Sequence, residues 1–151
     1  EGTIENLEWA LNAEGKTEHS AMVLTGDATK LTEALGELGA PICGFVLDPP
    51  YGRNSQGSLE PMALLESVLA SAQEVANTDA GLVLILPIHP MGEHPDEPIP
   101  SRADINLLHG DWQEIEHALR NAHWSVQNRW VEHVHASLSR LILHATIAPQ
   151  D

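Results

Sequence analysis

The sequence predicts an α/β fold built on a mostly parallel sheet that ends in an antiparallel hairpin strand. Three observations carry this. First, Ile42 to Leu47 and Gly81 to Leu86 are short, continuous apolar runs bounded by breakers, the pattern of strands buried on both faces. Second, the stretch between them, Ser58 to Ala76, is helical, with Leu59, Met62, Leu65, Leu69 and Ala72 at three- or four-residue spacing. Third, Trp124 to His135 alternates through Trp124, Val126, Trp130 and Val134, and Leu138 to Ile147 follows after a turn too short for a crossover, so it must return antiparallel. Strands separated by helices imply a sheet covered on both faces.

The first segment is helical over Gly2 to Ala13. Ile4, Leu7, Trp9, Ala10 and Leu11 form its apolar side, Glu1 and Glu5 suit its N-terminal half, and Gly15 can end it. Ala21 to Leu24 reads as a strand, Gly26-Asp27-Ala28 as the turn after it, and Thr29 to Leu38 as a short helix broken at Gly39-Ala40-Pro41. Asp27 is placed to cap that helix.

The strand 42–47 then stops abruptly at Asp48. Pro49 and Pro50 have no backbone N–H and cannot continue a ladder, and a residue before proline is held extended. Asp48 is therefore fixed at a carboxyl strand end, where open α/β sheets bind ligands. Tyr51 and Gly52 follow. A carboxylate and an aromatic face at that edge can grip a planar group bearing N–H donors.

Residues 87 to 104 contain five of the ten prolines together with Gly92, His89 and His94, and read as a loop. His89, His94 and Asp96 match no zinc spacing and have no cysteine partner, so no metal site is expected. Asp111 to Ala122 is an amphipathic helix with Trp112, Ile115, Ala118 and Leu119 inward and Asp111 as its cap.

Asp48-Pro49-Pro50-Tyr51 resembles the D/N-P-P-Y signature of amino-methyltransferases that use S-adenosylmethionine. The longer stretch Asp48-Pro49-Pro50-Tyr51-Gly52-Arg53-Asn54-Ser55 is similar to the archaeal and eukaryotic tRNA guanosine-N2 methyltransferases acting at position 10. There a Rossmann-like class I catalytic domain follows an N-terminal RNA-binding THUMP domain. His135-Ala136-Ser137-Leu138-Ser139-Arg140 resembles that family's His-x-Ser-Leu-x-Arg pattern, so the resemblance spans nearly the whole chain, with 20–29, 44–55 and 131–143 as anchors.

The resemblance implies roles for named residues. Asp48, Pro49 and Tyr51 would carry catalysis. Asp27, Ala28 and Asp48 would contact S-adenosylmethionine, Asp27 and the Ala28 N–H at the adenine. Pro50, Gly52, Arg53, His135 and Arg140 would face the substrate. For Asp27 the helix cap remains a competing role, and for His135 and Arg140 a solvated hairpin tip. The topology adds a condition: if strand 124–134 runs parallel to the others, its end shares an edge with Asp48. The same tetrapeptide serves adenine-N6 methyltransferases acting on DNA or RNA, and a non-catalytic fragment is a further alternative. The resemblance also implies that a strand, a glycine-rich cofactor loop and a ribose-binding acid precede residue 1. On that expectation residues 1–151 are the C-terminal part of a catalytic domain, with weak cofactor binding of their own.

Charge bears on the partner. The chain has 22 acidic residues against seven lysines and arginines, a net charge of −15. Nucleic-acid binders normally carry a basic footprint. Two readings compete: the acidic surface suits high intracellular salt, tRNA binding then needing another, THUMP-like domain or high salt, or the protein does not bind nucleic acid at all. Arg53 and Arg140 are scarce cations near the expected site. No apolar run approaches the roughly 18 residues of a membrane span, and one cysteine, Cys43, in the expected core strand, favours a reducing, cytoplasmic setting.

Overall fold

A computed structural model describes residues 2–16, 22–38, 41–49, 60–90, 105–108 and 110–149. The elements are α1 (Gly2–Ala13), a 3-10 turn (Ala28–Lys30) leading into α2 (Leu31–Leu35), β1 (Ile42–Leu47), α3 (Pro61–Val75), β2 (Ala76–Ile88), α4 (Trp112–Asn121), β3 (Trp124–His135) and β4 (Leu138–Ile147).

The four strands form one sheet in the order β1-β2-β4-β3. β1 pairs parallel with β2, while β4 runs antiparallel to both β2 and β3. Three strands therefore point one way and β4 alone runs back between β2 and β3, as the short 136–137 turn requires. The carboxyl ends of β1, β2 and β3 lie on one edge.

One face of this sheet is the core. Leu82, Leu84 and Leu86 of β2 and Leu141, Leu143 and Ala145 of β4 alternate into it, beneath Leu65, Leu69 and Ala72 of α3 and Ile115, Ala118 and Leu119 of α4. Two contacts tie its far ends together. The Trp124 Nε1–H donates to the Leu69 carbonyl at 3.2 Å, and the Phe45 and Trp124 rings meet edge-on at 5.8 Å. Asp111 closes a capping box on α4: its Oδ1 accepts from Glu114 N, and its own N–H donates to Glu114 Oε2, both at 2.9 Å.

Several expectations are corrected. The sheet is covered on one face only among the described residues: Val46 is 74% exposed and Trp130 48%. Continuous apolarity marks both faces as suited to burial, but which face is buried depends on what packs there, and α3 and α4 take the same side. Cys43 is exposed on the edge strand and is no core residue. Met22 to Leu24 pair with no described strand and are exposed, Met22 at 64%; apolar character proposes a strand, but a ladder partner makes one. Ala21 lies outside the described residues. The expected helix 29–38 is only partly α-helical: α2 lies between the 3-10 turns Ala28–Lys30 and Gly36–Leu38, and Gly36, with φ +52°, ends α2. β2 begins at Ala76, before Gly81, and runs two residues beyond Leu86, taking Pro87 and Ile88 out of the expected loop. α3 starts at Pro61, the first helical position, where a missing N–H costs nothing. α1 occupies the expected range but has no buried residue.

Candidate functional site

Asp48 follows the last residue of β1, with its side chain about half exposed. β1 pairs with β2 only as far as Leu47 opposite Leu84. Past that point the β1 side of β2 is taken by residues 105–108: Leu107 bridges Ile88, the His89 N–H donates to Asn106 O at 2.9 Å, and the Leu108 N–H donates to Pro87 O at 3.2 Å. β4 occupies the other side of β2 at Ile88, through Ser139, so 105–108 must lie beyond the end of β1. Pro87 turns its carbonyl toward Leu108, and its missing N–H is therefore not withdrawn from the β4 ladder. Ile105 and Leu107 are buried and anchor this segment. Sequence reasoning passed over it; the two-residue spacing of Ile105 and Leu107 was the available signal.

Arg140 enters from β4, opposite Pro87 on β2 and Glu132 on β3. Its neighbours Ser139 and Leu141 are fully buried, so alternation sends Arg140 to the uncovered face. From there its guanidinium reaches across β2 to Asp48, with Nη2 4.0 Å from Oδ2 and side-chain exposures of 43% and 57%. An ion pair this exposed contributes little to stability. Glu132, the register partner of Arg140, was also missed by the sequence reading.

His135 ends β3, which runs parallel to β1 and β2, so it lies on the Asp48 edge as the topological condition required. Its Nδ1 is 3.1 Å from Ser137 Oγ and accepts from the Ser137 N–H at 3.3 Å, which fixes the ring over the hairpin turn. Pro49 is half-buried behind Asp48. Pro50, Tyr51, Gly52 and Arg53 lie outside the described residues, as do His94 and Asp96. Among the described residues no group of three metal-ligating side chains converges, and no helix is long and apolar enough to cross a membrane.

Asp27 and Ala28 are placed separately. Asp27 Oδ1 accepts from Thr29 Oγ1 at 2.7 Å and Thr29 N at 2.9 Å, so Asp27 caps the 3-10 turn. The Leu31 N–H donates to Ser71 Oγ at 2.7 Å, docking this segment on the C-terminal half of α3. No hydrogen bond or ion pair joins Asp27 to Asp48 among the described residues. Both Thr29 bonds fall on Oδ1, and the Ala28 N–H sits in the first position of the turn, where no intrahelical acceptor exists. A carboxylate oxygen beside a backbone N–H matches the amino group and ring nitrogen on one edge of an adenine.

The Thr29 hydroxyl first, then the Thr29 N–H, and more weakly Lys30, hold the Asp27 carboxyl below its ordinary 3.8. A depressed carboxyl stabilises the fold above its unfolded value and loses that contribution as pH falls through the folded one. The protection factor of the Thr29 amide, its exchange corrected for the intrinsic base-catalysed rate, is therefore expected to be flat from pH 7 down to about 4 and to fall only below it, and Asp27→Ala should abolish the step. A step centred near pH 6 would show that another group controls the turn.

An open cavity of about 410 Å³ lies at the opposite, amino end of β1, lined by Leu35, Leu38, Pro41, Ile42, Cys43 and Val75 among others. It is remote from Asp48 and shares no residue with the site.

No family model and no curated protein matches the sequence. Solved structures do match. A protein of Thermus thermophilus assigned as a DNA modification methylase aligns over 83% of this chain and 52% of its own, with TM-score 0.53 and 16% identity. Burkholderia thailandensis 1,6-didemethyltoxoflavin-N1-methyltransferase, solved with 1,6-didemethyltoxoflavin and S-adenosylhomocysteine, aligns over 94% and 57%, with TM-score 0.51 and 18% identity. A SAM-dependent methyltransferase of Methanosarcina mazei aligns over 97% and 78%, with TM-score 0.50 and 11% identity. The chain has the class I methyltransferase fold. It spans about half the length of the first two of these proteins. In the class I sheet, the edge that carries Asp48, His135 and Arg140 is the carboxyl edge of the parallel strands, where ligands of such sheets bind.

Proposed function

We propose that this chain carries the amine-activating part of an S-adenosylmethionine-dependent methyltransferase, and that the acceptor is the exocyclic N2 amine of a guanosine in tRNA. The observation that carries the proposal is the position of Asp48: a carboxylate at the carboxyl end of β1, heading Asp48-Pro49-Pro50-Tyr51, in a class I methyltransferase sheet. The tRNA guanine assignment rests on the resemblance of residues 48–55 and 135–140. It brings with it an upstream RNA-binding, THUMP-like domain and a cytoplasmic setting.

The exocyclic amine of guanine is a poor nucleophile because its lone pair is delocalised into the ring. Asp48 and the Pro49 carbonyl accept the two amine hydrogens, which turns the lone pair out of conjugation and stabilises charge developing on nitrogen. Tyr51 stacks on the base, which must leave its own stack to reach this edge. Asp27 and the Ala28 N–H would hold the adenine of the cofactor, with Asp48 as a further contact to it. S-adenosylmethionine, once bound, supplies a methyl group on an electrophilic sulfonium. What remains for the protein is alignment.

The test is methyl transfer by the full natural protein to a tRNA transcript, followed by nucleoside analysis. N2-methylguanosine in tRNA supports the proposal. N6-methyladenine, formed in DNA or RNA instead, would move the assignment to the adenine enzymes. Absence of transfer to any nucleic acid, with the protein folded, would mean that the Asp-Pro-Pro-Tyr turn is non-catalytic here. Because net charge −15 repels phosphate, filter binding at low salt is expected to show weak retention of tRNA by residues 1–151 alone.

A further inference from the structure

The resemblance places Arg140 against the substrate, where a cation on a carboxyl edge would meet phosphate. The geometry points to another role. We infer that Arg140 is a positioning residue that holds the Asp48 carboxylate in its working orientation; this rests on the proposed function of Asp48 and deepens it.

Two observations carry the inference. The first is the contact itself, Nη2 to Oδ2 at 4.0 Å, made across an intervening strand. The second is the firm placement of the arginine end. Arg140 stands on β4, paired on both sides, opposite Pro87 and Glu132, between two fully buried residues. Asp48 stands one residue past the end of an edge strand, beyond the last β1–β2 pair. Its neighbour on that side is the 105–108 segment, which bonds to β2 at Pro87 and His89 and not to Asp48. Among the described residues, the charged side chain brought to the Asp48 carboxylate is thus that of Arg140, which stands on a strand paired on both sides. A guanidinium carries its charge on a planar fork, so from 4.0 Å it attracts Oδ2 while leaving the other oxygen to accept from a substrate amine. Glu132, opposite Arg140 on its far side, adds negative charge that further lowers the attraction of this spot for a phosphate.

Three variants of the full natural protein test this: Arg140→Gln, Asp48→Asn and the double variant. If Arg140 positions Asp48, Arg140→Gln lowers the saturating rate of methyl transfer about tenfold or more. It leaves the tRNA dissociation constant and its salt dependence unchanged, and adds little to the loss already caused by Asp48→Asn. Arg140→Lys, which keeps charge without the fork, restores only part of the rate. A phosphate ligand behaves oppositely: tRNA affinity falls, the salt slope drops by about one, the saturating rate holds, and the two substitutions add. That result overturns the inference. A readout independent of catalysis separates it from failure of the proposed function. The backbone amide order parameter of Asp48 is expected to fall in Arg140→Gln while that of Leu141 stays at its rigid value, near 0.85. An unchanged Asp48 amide overturns the tether even in a protein that methylates nothing.

Discussion

Replacing Asp48 by alanine in the full natural protein is expected to slow single-turnover methylation of tRNA by about a hundredfold or more, with the cofactor dissociation constant little changed. Asp48 follows the last residue of β1, and in the proposed function its carboxylate would be needed most as charge develops on the attacking nitrogen. By analogy with removal of one oxyanion-hole donor, such a group is worth roughly 3 kcal/mol. Asp48→Asn keeps one acceptor oxygen and should fall between. Asp27→Ala should show the converse pattern. Asp27 sits on its own 3-10 turn, docked on α3 and with no bond to Asp48, so its loss removes a ground-state contact: cofactor affinity weakens first, and the rate at saturation holds. Measuring both quantities for both variants separates the roles. An Asp48→Ala protein that methylates at the wild-type rate would reduce residues 48–51 to a turn, and the functional proposal would fall with it.

What the sequence made legible follows physical scale. Motifs whose geometry is fixed by covalent chemistry read correctly: two prolines can only end a strand, so Asp48 had to stand at its carboxyl end. The shortness of the 136–137 turn forced β4 to return antiparallel; that His135 and Arg140 share the Asp48 edge needed in addition that β3 run parallel to β1, which the structure shows. Caps were legible too, since Asp111 and Asp27 bond within three residues of themselves. What could not be read depends on partners distant in sequence. Met22 to Leu24 have strand composition but no ladder. The second face of the sheet is apolar at Val46, Val83, Ile85 and Ile142, yet no described helix lies on it. The Arg140–Asp48 contact joins residues 92 positions apart through a strand order that no local pattern encodes.

That asymmetry between the two faces gives the second large effect. Leu84→Ala in residues 1–151 is expected to destabilise the fold by about 2–5 kcal/mol, out of a total typically of about 5–15. Leu84 is fully buried at the centre of the sheet, paired with Leu47 on one side and Leu143 on the other, and its side chain enters the α3–α4 core. Val46→Ala, one residue before Leu47 and on the opposite face, should change stability by less than about 0.5 kcal/mol, because its side chain already lies in water. Urea melts of the two variants give both numbers with one slope to compare. A small cost for Leu84→Ala would mean that the helical layer does not pack as described. A cost for Val46→Ala approaching that of Leu84→Ala would mean that the open face is covered in solution. Repeating the melt over a tenfold range of concentration then identifies the cover: a second copy makes the midpoint rise with concentration, whereas a segment of the same chain leaves it fixed.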